Sequence, residues 1–572
     1  MRKITLSLFF TTFYSLLSFS QTIVSTTPQN RKVILEEFTG INCVYCPQGH
    51  TIANNIKNAN PNNVFLVNVH VGGFSTPGAG QPDFRTPFGS GFTGQAGVTG
   101  YPAGTVNRTQ FSGLAQNGGT GTAMSRNNWT NATNQILAQS SYVNVATTAS
   151  INVSTRVLTV LVEAYYTGSS PVATNRLNVA LLQNNTLGPQ TGGNLGDQYN
   201  HQHRLVHMVT GQWGETISTT TAGTFVTRTY TYTIPASYNL VPAEMGEFEV
   251  VAFMAESQQK IISGNGTTAT YTGLISDDAS IKEVKEISDQ CVASISPKIE
   301  LQNYGQNNLT TLPITYSING GTPQVYNWSG NLAPLARQVV NLSSINFNLQ
   351  PTNTLNVSIP TDGNNANNSG VTSFAKASET ATSDIVIKIT LDQYGSETSW
   401  ELRNSAGAIV ASSPTYADAA AAGEYPQPDI NLTVPNDCYS FIVNDVYGDG
   451  MYGAYGFGGY QVFSNGNVIP GIEGGSFGAS ESKTFGVNNP LSTTDFESST
   501  IELYPNPTTG IVYFKSNYNA DVEILDLTGK VLMTVKNISN DETINLNGLQ
   551  AGVYLAKFVS EGREEIKKII LN

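Results

Sequence analysis

Two cysteines three positions apart, Cys43 and Cys46, follow the apolar run Val33 to Phe38 and precede a stretch compatible with a helix. In a strand-to-helix turn the first thiol lies at a helix N-terminus, where unpaired backbone N–H groups and the helix dipole favour the thiolate. The second thiol can then resolve a mixed disulfide. The same spacing also suits a permanent structural disulfide, and both readings stay open here. Zinc would need two further ligands, usually at recognisable spacing, and the chain holds no second Cys-x-x-Cys.

The five histidines all lie between residues 50 and 207, and His201, His203 and His207 fall within seven residues. On a strand these three point to one face, so the imidazoles of His201 and His203 could chelate copper, zinc or nickel. The plainer reading is a strand at an interface, packed near His70. Asp392, Asp445 and Asp449 sit in glycine-containing turns. Such turns suit hairpins, and their carboxylates suit calcium, a hard cation that takes oxygen ligands. The full EF-hand spacing is absent, so calcium there would be structural, stiffening the turns. No Gly-x-Ser-x-Gly elbow, His-Glu-x-x-His pair or Walker loop occurs, which removes several hydrolase and nucleotide-binding classes.

The elements that must carry these residues fall into blocks. Residues 28–140 give the one α/β pattern: strand Val33 to Phe38, helix from Cys46 to about Lys57, strand Val64 to His70, a Gly/Pro-rich insert, strand Thr105 to Phe111 and helix Ala123 to Gln139. From Tyr142 the apolar residues alternate, as in Val143 and Val145, Ile151 and Val153, then Leu158, Val160, Val162 and Ala164, which is the period of strands. Residues 141–287 are therefore expected to form a β-sandwich companion. A further run spans 288–378, with strands around Ile299, Ile314 to Ile318 and Leu355 to Ile359, and another β module spans 382–488 with echoing turns at Asp392 to Gly395 and Asp445 to Gly450. The expected class is multidomain α+β.

Several of these segments resemble known families. The Cys-x-x-Cys, the segment Gly97 to Pro102 and the strand-like run after it resemble the thioredoxin fold. The resemblance implies that Cys43 attacks, Cys46 resolves, Pro102 forms a cis-proline turn facing the dithiol, and Glu37 is a buried acid that relays a proton. Asn42, Val44 and Tyr45 depart from that pattern. More narrowly, Val33 to Pro47, the histidine after Val64 to Val69, and the Tyr-Pro loop leading to Asn107 and Arg108 look like the outer membrane protein 28-related family of Bacteroidetes envelopes, over roughly residues 30–260. Residues 288–378 look like immunoglobulin-like adhesion modules. At the C-terminus, Leu503 to Gly510, Asp526 to Lys530, Leu549 to Phe558 and Lys567 to Asn572 resemble the type A C-terminal sorting domain of the type IX secretion system, over 495–572. That resemblance implies export through the outer membrane, removal of the domain by a sortase-like enzyme, and release or attachment at the cell surface.

Composition bounds the partners. Residues 1–20 read as a secretory signal, with Arg2 and Lys3 ahead of an apolar stretch from Ile4 to Phe19. No later run approaches the ~18 apolar residues of a membrane helix, so none is expected in the mature chain. A net charge of −13 without a basic block argues against nucleic acid and anionic membranes. Cys291 and Cys438 fall in different blocks, and either a bridge between them or two buried thiols fits an exported chain. The expected function is a secreted or cell-surface interaction protein whose partner is an envelope or extracellular protein or glycan. The alternative is an extracellular thiol-disulfide oxidoreductase or isomerase.

Overall fold

The computed structural model describes residues 22–489 and 501–572, apart from Ala79, Asn194, Asn517, Glu561 and Gly562. The signal expected over residues 1–20 lies outside the described residues. The chain divides into two compact units, residues 1–488 and 489–572.

The first unit opens with β1 (Val33–Thr39), α1 (Cys46–Ala59) and β2 (Val64–His70). Every residue of β1 and β2 is buried, as expected for parallel strands covered on both faces. Helix α1 begins with Pro47 in its first turn, where a missing N–H costs nothing, and buries Cys46, Gly49, His50, Ala53 and Ile56 along one stripe. Next come α2 (Gly89–Ala96), β3 (Ala103–Val106), β4 (Met124–Ser125) and α3 (Trp129–Leu137). The glycine-rich α2 has poor intrinsic helix propensity, and the burial of Phe92 and Ala96 holds it in place.

The strands that follow are β5 (Val143–Asn152), β6 (Val157–Tyr166), β7 (Asn175–Gln183), β8 (Thr186–Gly188), β9 (Tyr199–His201), β10 (Arg204–Met208), β11 (Glu215–Ile217) and β12 (Phe225–Thr233). A short hairpin, β13 (Ser237–Tyr238) and β14 (Val241–Pro242), precedes the long strands β15 (Phe248–Glu256) and β16 (Gln259–Thr272).

The expected α+β class, with a thioredoxin-like α/β domain standing ahead of a β companion, is corrected here. Among the described residues there are three α-helices against forty-four strands, and no separate thioredoxin-like domain is formed. The strands of residues 33–125 instead complete one twelve-stranded sheet, in the order β12-β6-β5-β16-β15-β7-β10-β2-β1-β3-β4 with β11 on β7. The seam is the parallel pairing of β10 with β2, where Arg204 sits opposite Asn68. A parallel strand edge exposes unpaired backbone groups until another strand covers it. Here β10, more than a hundred residues downstream in the chain, supplies the cover, a pairing that local periodicity does not show. The expected strand Thr105 to Phe111 is also shorter, because Asn107 and Arg108 take positive φ of 50° and 44° and leave the sheet.

Further along, a three-stranded sheet (Ala279–Val284, Lys298–Asn303, Arg337–Asn341) and a four-stranded sheet (Gln324–Leu332, Leu309–Ile318, Thr352–Ser358, Ser369–Ala375) enclose a core that includes Ile299, Leu301, Ile314 and Leu355. Two five-stranded sheets over residues 378–487 pack around Ile387, Trp400, Phe441 and Val462. A disulfide between Cys291 and Cys438, with Cα atoms 5.7 Å apart, closes the choice left open above in favour of a bridge. In the second unit, a three-stranded and a four-stranded sheet cover Val512, Phe514, Val522, Ile524 and Phe558. No helix among the described residues is long and apolar enough to cross a membrane.

Candidate functional site

Cys43 and Cys46 are joined in a disulfide at the C-terminal end of β1, with Cα atoms 5.4 Å apart. Cys46 opens α1, and the two sulfur-bearing residues are 3% and 0% exposed, while Val44 and Tyr45 between them face solvent. The Tyr101–Pro102 peptide bond is cis. The first turn of α1 rests on Glu37 and Pro102: a methyl group at Gly49 would lie 2.6 Å from Glu37 Oε1 and 3.1 Å from Pro102 Cβ. Helix, acid and proline therefore meet in one place. Neither carboxylate oxygen of Glu37 has a hydrogen-bond partner, and burial pushes its acid well above the ordinary range.

Behind the disulfide lies a buried polar cluster. His50 joins Thr39 Oγ1 (2.9 Å) to the Tyr199 hydroxyl (2.6 Å), and its Nε2 is 3.9 Å from Glu37 Oε1. His201 Nε2 lies 3.2 Å from the Pro189 carbonyl, which can only accept, so that nitrogen carries the proton. His201 Nδ1 then accepts from His70 Nε2 at 3.3 Å, leaving His70 Nδ1 buried without a partner. Burial pulls His50 down to about 4 and His201 down to about 3, so the rings are neutral at physiological pH.

A short strap holds the cysteine turn from outside. Gln190 donates from Nε2 to the carbonyls of Gly40 (3.1 Å) and Cys43 (3.0 Å), and Thr191 donates its N–H to the Ile41 carbonyl (2.7 Å). Gly192 takes φ of +75°, and a Cβ there would stand 2.3 Å from the Val44 carbonyl oxygen, so only glycine fits. The Thr191 hydroxyl also donates to the carbonyl of Tyr447, in the Asp445 turn.

His201 and His203 turn to different partners. β9 ends at His201, and His203 adopts a positive φ of 53°, which breaks the two-residue alternation. His203 Nδ1 lies 2.7 Å from Glu249 Oε2, and Lys57 is 3.3 Å from the other oxygen. Burial alone would raise Glu249, but these two partners hold it down to about 2.

Among the expected carboxylates, Asp445 and Asp449 come together, and Glu397 joins them, all three offering oxygens within 4.8 Å of one another. Asp392 stands close enough to raise all three, while its own Oδ1 accepts the N–H of Tyr394 at 2.9 Å. Burial first, then neighbouring charge, pushes Asp445 and Glu397 up to about 7. Hard oxygen donors in this arrangement suit a cation such as calcium. Sequence reasoning missed Glu397, His50, Tyr199 and Gln190. The available signal for Glu397 was its place directly after the Asp392 to Gly395 turn; the others are brought in only by long-range packing.

A β-rich chain with two disulfides, a strapped cysteine turn and a separate C-terminal β unit defines a multidomain, disulfide-bonded β protein. Residues 90–265 match the outer membrane protein Omp28 family, and residues 502–572 match the secretion system C-terminal sorting domain family. The chain thus carries an Omp28-family domain and a type IX sorting domain, and it is secreted through the outer membrane to the cell surface. The Omp28 match takes in Pro102 but not Glu37, Cys43 or Cys46. Among solved structures, HBP35 of Porphyromonas gingivalis is 16% identical, with 61% of this chain and 98% of that chain covered at a TM-score of 0.33. A domain of the outer membrane lipoprotein Omp28 from the same organism is also 16% identical, with 23% and 91% covered at a TM-score of 0.17. No curated protein matches the chain.

Proposed function

We propose that this protein is a cell-surface interaction protein in which the Cys43–Cys46 disulfide is a permanent staple of the turn between β1 and α1. The observation that carries this reading is the burial of both cysteines, at 3% and 0% exposure, beneath a strap bonded to the Cys43 carbonyl. Disulfide exchange needs a nucleophile to reach one sulfur in line, and the burial of both cysteines opposes that approach. In this reading the sorting domain is removed by a sortase-like enzyme after export. The carboxylates of Glu397, Asp445 and Asp449, with Asp392 beside them, hold a structural calcium ion.

One observation favours a second reading, an extracellular thiol-disulfide oxidoreductase. Glu37 is buried with neither oxygen hydrogen-bonded, a costly arrangement that active sites tolerate when the acid moves a proton. In that reading Cys43 attacks, Cys46 resolves, Glu37 relays the proton and Pro102 shapes the substrate groove.

A graded dithiothreitol series on the mature protein, read by alkylation and mass spectrometry, separates the two. A staple shows a potential below about −300 mV, whereas a working dithiol falls at roughly −120 to −270 mV with Cys43 alkylated first.

A further inference from the structure

The 445–450 turn, in the β block of residues 378–487, reaches back to the cysteine turn at the start of the chain. The Thr191 hydroxyl donates to the Tyr447 carbonyl at 3.2 Å, while the Thr191 N–H donates to the Ile41 carbonyl at 2.7 Å. One residue therefore bonds to both turns. The two blocks also approach each other beside it, since a methyl group at Gly196 would lie 4.0 Å from the methyl of Ala479.

The 445–450 turn is built to hold that carbonyl in place. Asp445 Oδ1 accepts the N–H groups of Gly448 and Asp449, which closes the turn around Tyr447. Backbone bonds fix its ends, from Asp445 to Ala479 (2.9 Å), Val446 to Glu397 (3.0 Å) and Met451 to Gly475 (2.7 Å). The block that carries it is tied down as well. The Cys291–Cys438 bridge joins it to the block of residues 279–375, and ion pairs Lys282–Glu244 and Arg337–Glu247, both 3.0 Å, hold that block to the large sheet. The path out from the large sheet through two further blocks thus closes again on the strap.

This closure bears on the buried disulfide. With Cys43 3% and Cys46 0% exposed, a reductant reaches a sulfur only when the turn opens locally. Opening displaces the backbone of residues 40–43, whose carbonyls accept bonds from Gln190 and Thr191. A strap with no other attachment would move with the turn. One bonded to Tyr447 stays with the distant block, so its bonds to the turn must break before the disulfide is exposed.

We propose that the 445–450 turn is a latch between blocks: through Thr191 it holds the strap against the cysteine turn and sets the rate at which the Cys43–Cys46 disulfide opens to a reductant. The latch acts on a rate and the staple reading on a potential, so each can fail without the other.

Timed reduction of the full mature protein by dithiothreitol tests it, with alkylation and mass spectrometry scoring both disulfides in the same molecules. Thr191→Val removes the hydroxyl and keeps the side-chain shape. Gly448→Ala shifts the turn from the other side, because residue 448 takes a φ of +87° where a side chain is strained. Each variant reduces Cys43–Cys46 about fivefold faster, the scale of one hydrogen bond, while Cys291–Cys438 keeps its wild-type rate. The double variant is no faster than the faster single one, because both changes break the same link. An unchanged Cys43–Cys46 rate in Thr191→Val overturns the proposal, as does equal acceleration at both disulfides, or a double variant whose acceleration is the product of the single effects. Unchanged rates in a protein whose Cys43–Cys46 bond resists reduction at equilibrium discard the latch and leave the staple reading standing; the expected rates with an easily reduced bond do the reverse.

Discussion

Gln190 donates its side-chain amide to the carbonyl of Cys43 across 147 residues of sequence, at 3.0 Å. That bond, with the backbone bond from Thr191 to Ile41 and the close approach of Gly192 to the Val44 carbonyl, makes the loop after β8 a cover for the backbone of the cysteine turn.

The first prediction follows from this cover. Gly192→Ala forces a Cβ against the Val44 carbonyl at a positive φ, so the strap must lift. Backbone strain of this kind costs about 1–3 kcal/mol. The variant melts lower, and its Cys43–Cys46 bond is reduced by dithiothreitol about tenfold faster, read by timed alkylation. An unchanged reduction rate would show that the strap does not govern access.

A second prediction concerns Glu37 and His201, which respond to pH in opposite directions. The acid of Glu37 is raised in the folded state, so its contribution is fully present below its ordinary value near 4.5 and is lost as pH climbs. Glu37→Gln should therefore gain stability relative to wild type as pH rises from about 5 to 8. His201 is lowered to about 3 from an ordinary 6.5, so its contribution is present above 6.5 and falls away as pH drops toward 3. His201→Gln should flatten the acid limb by up to about 1.4 kcal/mol per pH unit. Melting curves of the three proteins across this range read both slopes.

Calcium provides the third test. Glu397 and Asp445, both raised to about 7, are strained by ionisation at neutral pH, so the protein without added calcium should melt lower as pH rises from about 4 to above 7. Millimolar calcium should restore the melting temperature at pH 8. Asp445→Asn should remove the response to calcium and most of this pH dependence. A calcium-insensitive melt of the wild type would count against the cation.

The Cys291–Cys438 bridge closes a loop of 147 residues' separation. Removing such a constraint from the unfolded chain costs about 2–5 kcal/mol in stability. A Cys291→Ser, Cys438→Ser double variant should show that loss in urea unfolding, with the Cys43–Cys46 bond still formed.

Deletion of residues 495–572 should leave the protein in the periplasm, as judged by cell fractionation, because the type IX machinery reads the sorting domain. Normal surface display of the truncated chain would contradict that role.

Much was legible in the sequence because it is local. The sorting motifs, the alternating strands β5 and β6, and helix α1 with its proline start are each written within a few consecutive residues, where side-chain period and turn chemistry act directly. Cys43, Cys46, Glu37 and Pro102 could be named for the same reason, since two thiols, an acid and a proline announce their chemistry by type. What the tertiary structure decided is long-range. The pairing of β10 with β2 merged an expected α/β domain into one sheet, because a strand edge takes whichever partner satisfies its backbone hydrogen bonds, however distant in the chain. The same folding brought Gln190 over Cys43, set His201 beside His70 while His203 turned to Glu249, and delivered Glu397 to Asp445 and Asp449. Hydrogen bonds and burial depend on distance in space, and neither period nor motif records it.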